Sequence, residues 1–253
     1  APADLMVVGA LADVVEDQFR RIFAQMGIER VSFLPARSHA EMPALGPNTR
    51  FLLAHPYLGD TARALEDRGG QWIPAPFPLG VEGSTGWFQA AGAEFNCDAA
   101  KVDDALAAPT RRAREAISKY IPALSGKRLF LFPDSQIELP VARFLSRELQ
   151  MELSEVGTPF LHRQHLAHEL EWLGPDVQIT EGQHVDDQLD RCRAAEPDVV
   201  LCGLGLANPL EAEGITTKWS IELIFTPIQG FDQAADLAEL FARPLNRRAR
   251  LQF

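Results

Sequence analysis

Short runs of branched and aromatic residues alternate with segments of helical period along most of this chain, and that alternation admits few folds. Repeated strand and helix units close into parallel sheets with helices packed on their faces. Residues 5–9, 31–34, 51–54 and 72–74 read as strands. A helix is expected over 13–26, where Val14, Val15, Phe19, Ile22 and Phe23 share one face and Gly27 ends the period. A shorter one over 61–68 closes at Gly69 and Gly70. From Lys101 to Tyr120 the chain turns helical and charged, and after Gly126 a strand over 128–132 opens a second series of the same kind. That series runs through a helix at 139–148, strands at 151–154, 177–180 and 199–202, a helix at 185–195 and a final amphipathic helix over 231–241 that stops before Pro244. The pattern predicts an α/β protein of two tandem Rossmann-like parallel-sheet domains. The first, residues 1–124, ends in a long linking helix, and the second, residues 125–253, carries the C-terminal helix.

Composition removes several function classes. A net charge of -11 argues against a nucleic-acid groove or an anionic membrane surface, since both need clustered Lys and Arg. The basic run from Arg243 to Arg250 is short and terminal. No stretch approaches the roughly 18 apolar residues of a membrane span. Three cysteines, Cys97, Cys192 and Cys202, without a Cys-x-x-Cys pair, fit reduced structural thiols in a cytoplasmic protein better than a disulfide frame or a metal site. The chain opens without methionine and passes almost at once into a strand, as a segment of a longer protein would.

In parallel α/β sheets ligands sit beyond the carboxyl ends of the strands, so the loops there are the candidates for function. Residues 76–87 mix turn formers with an expected helix start at Ser84, which suits an anion-binding helix N-terminus or an interdomain turn. They match neither a P-loop nor a dinucleotide fingerprint. Asp134, Ser135 and Gln136 follow the first strand of the second series, either lining a cleft or capping the next helix. His162, His165 and His168 recur at three-residue intervals beside Glu169, as a metal site or as structural and solvated side chains. Cys202 precedes a glycine-containing turn and reads as a small hydrophobe. Trp219 could pack on a planar ligand while Lys218 answers a carboxylate, or it could be a core Trp beside an exposed Lys.

Taken in order, Pro78-Leu79-Gly80-Val81-Glu82-Gly83-Ser84-Thr85-Gly86-Trp87, Phe132-Pro133-Asp134-Ser135-Gln136, Gly157-Thr158-Pro159-Phe160-Leu161-His162, Cys202-Gly203-Leu204-Gly205-Leu206-Ala207-Asn208-Pro209-Leu210-Glu211-Ala212 and Thr217-Lys218-Trp219-Ser220-Ile221-Glu222 carry a resemblance over essentially the whole chain. The sequence resembles the N-subunit family of light-independent (dark-operative) protochlorophyllide reductases, which are nitrogenase-like proteins. The resemblance implies the nitrogenase component fold. It also implies an N2B2 heterotetramer with a homologous B subunit, and an ATP- and Mg-dependent iron-sulfur reductase dimer, L, that delivers electrons. A [4Fe-4S] cluster would lie at the N/B contact with its ligands outside this segment, so Cys97, Cys192 and Cys202 are not promoted to ligands. The implied reaction reduces the C17=C18 bond of protochlorophyllide. This segment would supply cavity wall, with Trp219 packing on the macrocycle, Ser135, Gln136 and Phe160 lining the pocket, and Lys218 facing a propionate. No proton donor is nameable. The rival readings are the corresponding subunit of chlorophyllide reductase and, from another class, a non-catalytic small-molecule receptor of two α/β domains.

Overall fold

The computed structural model describes residues 4–182 and 184–251, and its strands fall into two all-parallel sheets. The first series is β1 (Asp4–Val8), α1 (Asp13–Met26), β2 (Val31–Leu34), β3 (Thr49–Leu53), α2 (Gly59–Glu66) and β4 (Gln71–Trp72), with sheet order β2-β1-β3-β4. Three helices connect the sheets: α3 (Gly80–Glu94), α4 (Ala99–Ser118) and α5 (Ile121–Leu124). The second series is β5 (Arg128–Leu131), α6 (Glu138–Arg147), β6 (Glu152–Thr158), α7 (Ala167–Leu173), β7 (Ile179–Glu181), α8 (Val185–Ala195), β8 (Val199–Cys202), α9 (Leu204–Ala212), β9 (Thr217–Trp219), α10 (Glu222–Phe225) and α11 (Ala234–Leu251). Its order, β7-β6-β5-β8-β9, reverses direction between β5 and β8. The first sheet reverses between β1 and β3, and such reversals open a crevice at the carboxyl ends of the strands.

Local chemistry explains the elements that hold these sheets. Helix α1 carries Asp13 and Glu16 in its first turn, where the dipole favours negative charge, and ends at Gly27 with φ 92. Its buried face is Val15, Phe19, Ile22, Phe23 and Met26, whereas Val14, expected on that face, is 57% exposed. Phe19 and Phe23 pack on Trp87 of α3, whose indole N–H donates to the Leu53 carbonyl at 3.0 Å. Helix α4 is capped by Asp98, which accepts from the Ala100 and Lys101 amides.

Two expectations about helix ends are corrected. Helix α3 begins at Gly80, not at Ser84, because a side-chain carboxylate satisfies the Val81 and Glu82 amides. Helix α11 runs through Pro244 to Leu251 instead of stopping before it. A proline inside a helix costs about 3 kcal/mol. Here the helix buries Leu237, Ala238, Leu240, Phe241 and Ala242 and packs on α3, α4 and α5, which offsets that loss.

Side chains alternate across a strand, so the second sheet feeds two cores. Leu129 and Leu131 join one continuous apolar core that runs through both sheets, while Phe130 and Phe132 pack with Cys192, Val200, Cys202, Ala207 and Leu210 beneath α8 and α9. No described helix is long and apolar enough to cross a membrane.

Candidate functional site

The seam between the sheets is built around a buried cation. Arg143 of α6 is fully buried, and a charge in that position must be paired and hydrogen-bonded. Its guanidinium donates to Glu169 at 2.9 Å, to Glu148 at 3.2 Å, and to the carbonyls of Leu79 and Phe77 at 2.9 and 3.2 Å. Glu169 in turn accepts from the Phe77 amide at 2.9 Å, and Glu148 accepts from the Val81 and Glu82 amides at 2.7 and 3.2 Å. The N-terminus of α3 therefore does hold an anion, and the anion is the chain's own Glu148. The turn before α3 and the first turn of that helix are strapped down at both carbonyls and amides. A Cβ on Gly83 would strike the Arg143 guanidinium and the Phe77 carbonyl, which explains glycine there. Burial pushes the Glu148 carboxyl up to about 7 against the pull of Arg143.

The carboxyl edge of the first sheet is filled from within. His55, just past β3, is 4% exposed and contacts Gln229 at 3.1 Å. Gln18 of α1 donates to Gln233 at 2.6 Å and accepts from the Phe231 and Asp232 amides at 2.8 and 3.1 Å. The segment around 228–233 thus lies over the crevice and uses its polar groups to close it. Burial holds the His55 imidazole down at about 4, so it is neutral.

The carboxyl edge of the second sheet is open. Beyond β5, Glu138 is fully buried and its Oε1 accepts from the Asp134 and Ser135 amides at 2.9 and 2.6 Å and from the Ser135 hydroxyl at 3.2 Å. Its Oε2 is buried with no partner among the described residues, and burial pushes the carboxyl up to about 7. This clamp fixes the 134–136 loop and leaves Gln136 at φ 66, a left-handed conformation uncommon outside glycine. The Ser220 hydroxyl donates to Asp134 across the switch point, tying the loop after β5 to the one after β9. Around this edge Phe160, Leu204, Trp219, Ile221, Ile224 and Phe225 are exposed, Phe225 to 81%.

The predicted site residues divide accordingly. Ser135 and Gln136 sit half-buried at the end of β5, Phe160 stands 52% exposed after β6, and Trp219 is 42% exposed at the end of β9. The bland alternative for the last pair is inverted, since the Trp is at the surface and Lys218 is buried at 4%. The carboxylate that Lys218 meets is Glu222 of its own chain, and burial lowers the lysine from its ordinary range. Trp219, Lys218, Glu211, Glu222, Arg243 and Arg247 line a cavity of about 450 Å³. Sequence reasoning missed Glu138, Arg143 and Glu148, whose role depends on partners far along the chain. It also read Arg243 and Arg247 as a terminal run, although their four-residue spacing places them on one helix face.

The histidines do not form a metal centre. His162 and His165 precede α7, their rings stacked at 3.7 Å, and His165, expected to be exposed, is 5% exposed and lies 4.8 Å from the Trp72 ring. Stacked imidazoles present faces to each other and no shared point for a metal. Among the described residues no group of three or more His, Cys, Asp or Glu could hold a metal ion. Burial pushes the Cys192 and Cys202 thiols up to about 12, so neither is a ready thiolate. The buried, protonated Cys192 and Cys202 therefore do not suit cluster ligation.

Comparison with known proteins bears on this geometry. The model of the nitrogenase component 1 type oxidoreductase family matches residues 6–246. The chain is 65% identical over 249 residues to the light-independent protochlorophyllide reductase subunit N of Rhodopseudomonas palustris strain BisB18, covering 98% of this chain and 58% of that protein. The solved structure of nitrogenase Cp1 at pH 5 superposes with TM-score 0.76 at 13% identity over 98% of this chain and 58% of its own. A periplasmic metal-binding protein from Candidatus Liberibacter asiaticus shares the fold with TM-score 0.54 at 8% identity, over 96% of this chain and 99% of its own. The chain thus spans little more than half the length of its 65%-identical relative.

Proposed function

Since this chain belongs to the nitrogenase component 1 type oxidoreductase family, we propose that it is a wall-forming part of the N subunit of a light-independent protochlorophyllide reductase. The open, apolar carboxyl edge of the second sheet carries the reading, because a flat tetrapyrrole needs aromatic and aliphatic side chains that no protein core has claimed. Trp219 packs on the macrocycle, and Ser135, Gln136 and Phe160 face it from the strand ends of the same open edge, outside the cavity that Lys218 and Trp219 line. The 65% identity to a protein of that name supports protochlorophyllide over other ligands.

Reduction of the C17=C18 bond adds two electrons and two protons. In this reading the electrons come from an ATP- and Mg-dependent iron-sulfur reductase, through a [4Fe-4S] cluster at the contact with a homologous B subunit, and the cluster's ligands lie outside this segment. The contribution of this chain is to bind and orient the pigment and to exclude water from its faces. The clamp of Glu138 on the 134–136 loop holds two of the lining residues in place. The assembly works in the cytoplasm.

The test is a titration of protochlorophyllide into the full-length subunit paired with its B partner, followed by dark turnover with ATP, the reductase and dithionite. Appearance of chlorophyllide is the expected result. Pigment binding without reduction would assign the cavity to another substrate, and absence of binding would sink the reading.

A further inference from the structure

The seam at Arg143 holds more negative charge than positive. One guanidinium faces two carboxylates, Glu169 at 2.9 Å and Glu148 at 3.2 Å, and both it and Glu169 are shut off from solvent. Glu148 is the member that water reaches. It borders a groove of about 670 Å³ between α3, α4, α6 and α7, together with Glu82, Arg114, Arg147 and Trp172. Glu82 and Arg147 neutralise each other through a two-pronged pair, and Arg114 is exposed on α4, where solvent screens it. Glu148 also carries the mechanical link between the sheets. It ends α6, and its two oxygens accept from the Val81 and Glu82 amides in the first turn of α3. Helix α3 is anchored under the first sheet by Trp87, whose indole donates to Leu53. The contact has no slack, since a Cβ on Gly80 would come within 2.4 Å of a Glu148 oxygen and 2.2 Å of the Phe144 ring.

We propose that this seam is a proton-operated latch, in which Glu148 fastens the first turn of α3 to α6 as a neutral carboxyl and loosens it as a carboxylate. In the neutral state Arg143 and Glu169 balance one to one, and Glu148 still offers an oxygen to an α3 amide. In the charged state two buried carboxylates compete for one guanidinium, with Glu82 adding like charge beside them. Withdrawing the first turn of α3 relieves that conflict by letting groove water solvate Glu148. Burial outweighs the pull of Arg143 and raises the carboxyl from 4.5 to about 7, which puts the change near neutral pH. Because the fastened seam binds the proton more tightly than a hydrated carboxyl does, its hold weakens as pH rises from 4.5 to about 7 and then levels off. The separation of the two carboxyl edges, which this seam sets, then responds to pH. The latch stands whether or not the open edge binds a pigment.

Amide hydrogen exchange of the full-length protein tests it, read on the peptide that carries Val81 and Glu82 and corrected for the intrinsic effect of pH on exchange. From pH 5 to about 7 wild-type protection there should fall by up to about tenfold per pH unit and then level, while the amides in the middle of α4 hold steady. Glu148→Gln, neutral at every pH, should keep the acid-state protection throughout and lose the slope. Glu82→Gln should move the fall to lower pH, since it removes the like charge. A wild-type slope no steeper than that of the α4 amides overturns the latch, and so does protection that rises with pH. A slope that survives in Glu148→Gln also overturns it, by assigning the titration to another group. If Glu148→Gln does not fold, Glu82→Gln decides, and an unmoved transition overturns the latch.

Discussion

The two sheets of this protein share one topology at their switch points and treat the resulting crevices in opposite ways. At the first, the 228–233 segment returns across the strand ends, and His55, Gln18, Gln229 and Gln233 bury their polar groups against one another. At the second, the loops are held from beneath by Glu138 and tied sideways by Ser220, and six large apolar side chains remain exposed around them. A parallel α/β sheet therefore supplies the geometry of a site, and what decides whether the site is available is whether the chain itself occupies it. The comparison turns on polar satisfaction. The closed edge spends its amides and carboxamides on itself, while the open edge keeps its backbone satisfied and offers only apolar surface and a few charges.

The largest effect is expected at the seam that holds the two edges apart. Arg143→Met leaves Glu169 and Glu148 buried side by side without their cation, and breaking a buried pair in this way costs about 3–5 kcal/mol. Urea unfolding should register that loss, and pairing the change with Glu169→Gln should recover part of it. A loss below about 1 kcal/mol would show that water reaches the seam and that the two edges are not rigidly related. A smaller effect belongs to the closed edge. Gln18→Leu removes the acceptor of the Phe231 and Asp232 amides and the donor to Gln233, an expected cost of about 1–3 kcal/mol. Proteolysis within 228–233 should then quicken, since the cover of the first crevice is released.

How much of this was legible beforehand follows from the range of the interactions. The β and α elements could be read because periodicity and glycine stops act over a few residues, as in α1, predicted over the residues it occupies. Val14 was misplaced because a helical face drifts and only the neighbour decides its edge. The end of α11 was misread because the local cost of Pro244 is visible in sequence and the burial that outweighs it is not. For residues 76–87 a turn and an anion at a helix N-terminus were both open readings, and the identity of the anion was not legible, since Glu148 lies 67 residues from Val81. Within the candidate site, Trp219 and the 134–136 loop were found from their places after strands, whereas the burial of Lys218 depends on α10 and α11 folding over it.

Acidity distinguishes the edges further, with opposite signs. The Glu138 carboxyl at the open edge rises from about 4.5 to about 7 on folding, so between those values the folded chain holds a proton that the unfolded chain has released. Its contribution falls as pH rises through that window. His55 at the closed edge drops from 6.5 to about 4, so the unfolded chain takes up the proton first and stability rises with pH across that interval. The two contributions oppose each other between pH 4.5 and 6.5, so over that interval urea midpoints should rise more steeply with pH in Glu138→Gln and less steeply in His55→Gln. Slopes unchanged by both variants would mean that neither edge is as dry as its burial indicates.

The smallest effect on stability is expected where the proposed function is greatest. Phe225 is 81% exposed, so Phe225→Ser removes little surface that folding had taken from water, and its unfolding free energy should stay within about 0.5 kcal/mol of the wild type. The same substitution in the full-length subunit should weaken pigment binding or assembly with the B partner, because an aromatic ring left in water by the fold gains only when something else covers it. Had the second crevice been closed by its own chain like the first, removing an aromatic side chain from it would cost about 3–5 kcal/mol. A destabilisation of that size would place Phe225 inside a packed cover and erase the difference between the two edges. An unchanged midpoint together with weakened binding would fix the open edge as surface kept apolar for a partner.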